Sequence, residues 1–370
     1  MQSMENLTQL NFLFSTHFNL NLARIKALSM MVLAVLEARD IRLSILARYC
    51  CATGAQVESS FKRMQRFIKE VSLPFERVAM VALALLGIGN EKKLTLIFDR
   101  TNWKFGKVHI NFLFLAVAHE GVAIPLFWKV LEDKKQGNST YIDRIELMEK
   151  FAMVFGQHRI ACVLGDREFI GKCWIMWLRR SRIPFVMRLP ELLTHISDHN
   201  GRSCKAPDLL KSLRRGGNRS LGYCQIGTTD PYKSEVSVLK TREGEMVVLL
   251  HSERLENPAE EYAQRWQIET MFRAFKTSGF NLESTHVTDP NRLVQLMGVL
   301  VLAFCFAYRA GKIVAAKKIC PEKKNGYQLF SIIRLGLDAI FRLLRYSVFI
   351  RPPTSNADTA YIEAFDIFVL

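Results

Sequence analysis

Asp99 and Asp166 each follow a short apolar run, Leu94 to Phe98 and Ile160 to Leu164 with Gly165 between. Carboxylates at the carboxyl ends of neighbouring strands converge where open α/β sheets bind their ligands. A third carboxylate, Glu269, shares a helix-like stretch with Tyr262, Arg265 and Lys276, at intervals of three, four and seven. At about 100° per residue these four fall within an arc of about 60°. Ile268, Met271, Phe272 and Phe275 make an adjoining apolar stripe that would dock the helix on a core. Three clustered carboxylates repel one another and are tolerated mainly when divalent cations neutralise them. Oxygen-only ligands suit Mg²⁺ or Mn²⁺ rather than zinc. Two such ions about 4 Å apart can activate a water or a 3′-hydroxyl and stabilise the leaving oxygen of a phosphodiester. The phenol, guanidinium and ammonium beside Glu269 suit phosphates. The plainer alternatives are strand-ending aspartates that cap helices or start turns, and an amphipathic helix with a solvated face.

The charge balance bears on that choice. Fifty-one Lys and Arg stand against 35 Asp and Glu, a net of +16 with a pI near 9.6. Such an excess favours a polyanionic partner, nucleic acid before an anionic membrane surface. It is concentrated: Arg167 to Arg219 holds twelve basic and four acidic residues, and Arg309 to Arg351 ten and two. Two basic surfaces follow from that clustering. The eight cysteines include no CxxC pair, which fits a reducing compartment and speaks against a zinc site. No secretory pattern opens the chain, and the longest apolar run, Leu293 to Tyr308, spans only 16 residues. A membrane span needs about 20, so a buried helix in a soluble, cytoplasmic protein is expected, with no membrane partner.

The elements that must position the carboxylates are legible in outline. A chain of 370 residues, 49% hydrophobic, is long enough for two or three domains. Residues 20–85 have helical spacing broken at Pro74. Within them Leu43–Tyr49, a turn at Thr53-Gly54-Ala55 and a basic helix from Val57 to Lys69 make a helix-turn-helix pattern, with Lys62, Arg63 and Arg66 on its second helix. A plain helical bundle with a solvated basic face has the same pattern. Strands are expected at Leu94–Phe98, His109–Ala118, Val122–Leu131, Ile160–Leu164 and Phe185–Leu189, with helices at Tyr141–Phe155 and Lys172–Arg180. The fourth strand is expected to return beside the first. Residues 190–252 read as a β-rich insertion with strands near 236–239 and 246–250. Apolar helices follow at about 290–316 and 328–347. No repeat or low-complexity block is visible.

Several local words are those of a known family. Asp99-Arg100-Thr101-Asn102-Trp103-Lys104-Phe105-Gly106, Gly121-Val122-Ala123-Ile124-Pro125-Leu126-Phe127-Trp128, Gly137-Asn138-Ser139 and Gly165-Asp166-Arg167-Glu168-Phe169-Ile170-Gly171 resemble insertion-sequence transposases of the DDE type. Tyr262, Arg265, Glu269 and Lys276 match the YREK signature of the family named after insertion sequence four. The resemblance runs from about 40 to 310. It implies an RNase H-like mixed α/β sheet flanked by helices, interrupted by the β-rich insertion, with all-α regions at both ends. The division implied is a helical DNA-binding domain at 1–90, a catalytic domain in two parts at 91–190 and 253–310, the insertion at 191–252, and a helical region for dimerisation at 311–370.

The implied activity is a Mg²⁺-dependent transposase and endonuclease of DNA recombination, with Mn²⁺ as a substitute. Asp99, Asp166 and Glu269 would hold two ions, cut the ends of an insertion sequence and join the freed 3′-hydroxyls to target DNA. Tyr262, Arg265 and Lys276 would hold phosphates, and the N-terminal helices would bind terminal inverted repeats of double-stranded DNA. The C-terminal helices would help pair two protomers in a homodimeric synaptic complex, associated with the bacterial nucleoid. Relatives that close the flanking strands as a hairpin stack an inserted-domain Trp on a flipped base. This chain has no Trp between Trp177 and Trp266, leaving Tyr223, Tyr232 or Trp266 as the aromatic face. Glu168 is a rival ligand beside Asp166, its side chain expected to point elsewhere. A DNA-binding protein that has kept the fold without transposing, and an RNase H-like nuclease without strand transfer, are the alternatives.

Overall fold

The computed structural model describes residues 2–50, 56–131, 139–190, 195–197, 203–205, 208, 213–228, 230–253, 255–317 and 330–346. Its described residues form two compact units. One is helical, from Met1–Gly89, Trp103–Ile110 and Met271–Leu370; the other, from Asn90–Asn102 and Asn111–Thr270, is built on a sheet.

The sheet unit is a mixed α/β layer. Strands β1 (Leu94–Phe105), β2 (Val108–His119) and β3 (Val122–Val130) precede helix α6 (Tyr141–Phe155), β4 (Ile160–Gly165), α7 (Lys172–Arg180) and β5 (Phe185–Arg188). β6 (His195–Ser197), β7 (Ser203–Lys205), β8 (Asn218–Ile226), β9 (Tyr232–Lys240) and β10 (Met246–His251) complete it. The ten-stranded order is β3-β2-β1-β4-β5-β10-β9-β8-β6-β7. β4 returns parallel to β1, and β5 parallel to β4, as expected for strands joined through helical crossovers. β2 and β3 join through Glu120 (φ +44) and Gly121 (φ +90), the left-handed pair that a two-residue hairpin turn demands. β4 and the Leu94–Phe98 part of β1 that pairs with it are apolar at almost every position because a parallel sheet is covered on both faces. On one side Phe98 meets Phe169 at 5.8 Å and, edge-on, Trp174 of α7 at 5.6 Å.

One expectation needs correction here. The first strand does not stop at Phe98. It runs on to Phe105, because beyond the end of its ladder with β4 it continues as one arm of the hairpin with β2. The residues read as a β-rich insertion do form strands. β10 pairs antiparallel with β5, so the inserted strands prolong the same sheet. Strand β8, with Gly222 at φ +71 and a register shift beside it, lacks the alternation that would have marked it in the sequence.

The helical unit contains α1 (Gln2–His17), α2 (Leu22–Ala38), α3 (Leu43–Tyr49), α4 (Val57–Glu70) and α5 (Phe75–Leu85). Its later part carries α10 (Pro290–Ala316) and α11 (Ile332–Tyr346). α1 lies ahead of the helical stretch read from sequence, and α11 is shorter than the 328–347 expected. α3 and α4 pack together, whereas the turn Thr53-Gly54-Ala55 lies outside the described residues, as do Gly137 and Asn138. α10 is the one described helix long and apolar enough to cross a membrane, yet 83% of its most apolar window is buried. It serves as the core: Phe304 takes Phe275 edge-on at 5.1 Å, and Phe306 meets Phe14.

The stretch holding Glu269 is not one uniform helix. It runs as α8 (Pro258–Ala263), a 3₁₀ turn (Gln264–Trp266), α9 (Gln267–Arg273) and a π-helical turn (Ala274–Ser278). The even 100° step assumed for the four-residue face therefore fails across it, since 3₁₀ and π turns advance by different angles. The apolar stripe does pack, with Ile268, Met271 and Phe275 fully buried and Phe272 half-buried.

Candidate active site

The β1–β4 register ends at Phe98 opposite Gly165, so Asp99 and Asp166 are the next residues on two adjacent parallel strands. Such strands lie about 4.8 Å apart. Gly165 is required by close approach: a Cβ there would lie 2.6 Å from Phe169 Cβ and 2.7 Å from Met187 Sδ. The chain then turns tightly, Phe169 donating its N–H to the Asp166 carbonyl at 2.8 Å.

Two side chains of the Glu269 segment tie the acids together. Arg265 Nη1 donates to Asp99 Oδ2 at 3.2 Å, and its Nη2 to Glu269 Oε1 at 2.8 Å. Tyr262 donates its hydroxyl to Asp166 Oδ1 at 3.3 Å, and the Arg265 guanidinium lies 5.8 Å from the Tyr262 ring centre. Arg265 is 9% exposed, so its charge is matched inside the protein rather than by water. Burial lowers its proton affinity, but the Tyr262 phenol alongside, the charges of Asp99 and Asp166 and the Glu269 bond more than restore it.

Asp99 is the strained member. Burial, with Asp166 and Glu168 adding negative charge, pushes its carboxyl up to about 7, against the pull of Arg265 and of the Arg100 N–H on Oδ1 at 2.7 Å. Burial likewise raises the Tyr262 phenol. Among the described residues no group of three or more His, Cys, Asp or Glu side chains is close enough to hold an ion. The reason is visible: the Arg265 guanidinium stands between Asp99 and Glu269. The donor chemistry, carboxylate oxygens around one buried carboxyl held up by its neighbours, nevertheless fits a divalent cation.

The remaining sequence-predicted residues are placed as follows. Lys276 belongs to the helical unit and pairs with Glu283 at 2.7 Å. Lys62, Arg63 and Arg66 are exposed on α4 and line one depression of about 400 Å³, Lys62 pairing with Glu58. Trp266 is 60% exposed and Tyr223 39%, the latter with the Arg179 guanidinium 5.3 Å from its ring centre. Tyr232 is only partly exposed, and burial pushes its phenol up to about 12. Glu168 turns to Arg100, accepting from its Nε at 2.5 and 2.7 Å.

The transposase DDE domain family model matches residues 91–306, more than half of the chain. The chain belongs to that family. Its activity class is accordingly that of a DNA transposase. Among solved structures the chain is similar to the piggyBac transposase synaptic complex with hairpin DNA, at 11% identity and a TM-score of 0.44, over 98% of this chain and 82% of that one. No match was found among curated proteins.

Sequence reasoning missed the support of this DDE site. Arg144, on α6 and 3% exposed, donates to the carbonyls of Ser139 (2.7 Å) and Glu168 (2.9 Å) and to Ser139 Oγ (3.0 Å). It thus clamps the turn after Asp166, and burial brings its own proton affinity down to about 10. The only sequence signal was an arginine inside an otherwise apolar helix face.

Proposed function

We propose that this transposase is a cut-and-paste enzyme of the insertion-sequence-four type, in which Asp99, Asp166 and Glu269 hold two divalent cations, Mg²⁺ by preference and Mn²⁺ as substitute. The observation that carries this is the joining of Asp99 to Glu269 through Arg265, with Tyr262 on Asp166 of the adjacent strand. When bound, the cations supply an activated water or 3′-hydroxyl and charge for the leaving oxygen. The chain's own residues do the rest. Arg265 and Tyr262 keep the three acids in register before DNA arrives, and with Lys276 they serve phosphates of the transposon end. The sheet unit excludes water behind Asp99, which strengthens each charge in front of it.

In this reading the double-stranded terminal inverted repeats are gripped by Lys62, Arg63 and Arg66 of α4, and Trp266 offers the exposed aromatic face for a base. Two protomers pair through the C-terminal helices, and residues 1–90, 91–190 with 253–310, 191–252 and 311–370 are the working parts. The bound enzyme sits on the nucleoid in the cytoplasm.

The test is purified protein with Mg²⁺ and a labelled duplex carrying the ends of the encoding element. Nicking at those ends, and joining of the freed 3′-hydroxyl to a plasmid, is the expected result. Nicking with no joining would assign a nuclease without strand transfer. Tight binding with no nicking in Mg²⁺ or Mn²⁺ would assign a DNA-binding protein that no longer cuts.

A further inference from the structure

The basic cluster between Arg167 and Arg219 has no part in the site described so far. The fold places five of its twelve basic residues, Arg167, Arg188, Arg214, Arg215 and Arg219, along one end of the sheet. The segment before β8 and the turn between β9 and β10 lie side by side: Gly216 donates its N–H to the Lys240 carbonyl at 2.8 Å, and Lys240 returns one to the Gly217 carbonyl at 2.9 Å. A Cβ at Gly244 would lie 3.4 Å from Arg215 Nε, and one at Gly216 3.9 Å from Arg242 Cγ. Each arginine thus lies across the glycine of the opposite turn. Arg214, Arg215, Arg219 and Arg242 are all exposed there.

This end of the sheet connects to the candidate active site. Glu245, just after the turn, accepts from Arg188 Nη2 at 2.8 Å and lies 4.0 Å from Arg167. Arg167 directly follows Asp166, and the charge of Arg188 reaches the Tyr262 hydroxyl. A line of guanidinium groups therefore runs from Asp166 through Arg167 and Arg188 to Arg215 and Arg242. Residues 213–219 and 240–245 with Arg167 and Arg188 carry seven basic and two acidic side chains. One of those acids, Glu245, is held by two arginines as a phosphate would be.

We infer that the joined turns of β8, β9 and β10 form a phosphate-binding edge that takes the backbone of double-stranded DNA where it leaves the active site. This rests on the cleavage reading above only for which DNA is bound. Spaced arginines on turns suit a phosphate backbone, since such contacts position a duplex without reading its sequence. A membrane surface would engage the same charges without requiring the line to lead to Asp166.

The experiment compares the full-length protein with the double variant R215E/R242E, and with the milder R215Q/R242Q, binding a linear duplex of random sequence across a salt series. Both positions are exposed, and an unchanged thermal midpoint confirms folding. Loss of about tenfold in affinity, with the log–log salt slope shallower by about 1.8, is expected for two lost phosphate contacts. Unchanged affinity and slope in both variants would overturn the inference. So would loss of binding to anionic phosphatidylserine vesicles with DNA binding untouched. The readout is binding alone, so a wild-type protein that binds DNA and never cuts it would sink the cleavage reading and leave this comparison decisive.

Discussion

Asp99, Asp166 and Glu269 are read as ion ligands, and each should fail in the same way when truncated. Asp99→Ala, Asp166→Ala and Glu269→Ala are expected to lower end cleavage by about a hundredfold or more, the scale of losing one preorganised charge contact, while duplex binding in a gel-shift assay persists. Substantial Mg²⁺-dependent cleavage by any one of them would remove that residue from the set. Asp99 permits a second test without DNA. Its carboxyl is raised from 3.8 to about 7, so the folded state holds a proton that the unfolded chain releases. Its contribution to stability is therefore present at low pH and lost as pH climbs from about 4 to 7. Asp99→Asn removes that loss: relative to wild type, the metal-free variant should gain stability between pH 4 and 7, by about 4 kcal/mol at the upper end. Parallel pH–stability curves for the two proteins would show that the carboxyl is not strained. The three acids were legible as residues because each closes or punctuates a periodic run. Arg265 was legible beside Glu269 as well, but its bond to Asp99 was not, since an i, i+4 Arg–Glu pair looks like any helical ion pair.

At the scale of elements, backbone contact decides more than side-chain pattern. α10 and α11 approach so closely that a Cβ at Gly311 would strike the Ile332 carbonyl oxygen, and one at Gly336 the Ala307 carbonyl oxygen. Gly336→Ala is expected to cost about 2–3 kcal/mol through overpacking, against the usual gain of a helix from Ala. A chemical-denaturation midpoint equal to or above wild type would show that the helices can part at no cost. Arg144→Met should be similarly costly, because it leaves the carbonyls of Ser139 and Glu168 without their donor, at about 1–3 kcal/mol. These contacts mark the boundary of what sequence could show. The β2–β3 hairpin, the return of β4 beside β1 and the burial of α10 follow from local periodicity, turn chemistry and crossover rules. The joining of β10 to β5 depends on partners distant in the chain. No local window records it.

Across the whole molecule the surplus of positive charge is the most general property, and it was readable at once, though not its distribution in space. The structure divides it between units. In the helical unit, Arg63 and Arg66 of α4 share a second depression of about 500 Å³ with Arg24 and Lys26 of α2, so the basic face is broader than the second helix of the helix-turn-helix pattern. Phosphate contacts release counterions, which makes their number measurable from salt dependence. The triple variant Lys62→Ala, Arg63→Ala, Arg66→Ala is expected to weaken binding to a terminal-repeat duplex and to make the log–log salt slope shallower by up to about 2.7. The three belong to the helical unit and Asp99, Asp166 and Glu269 to the sheet unit, so cleavage should recover at protein concentrations that restore saturation. Recovery separates gripping from chemistry. Cleavage still depressed at saturating protein would mean that α4 also aligns the end for cutting, and an unchanged salt slope would move the grip to other basic residues of the chain.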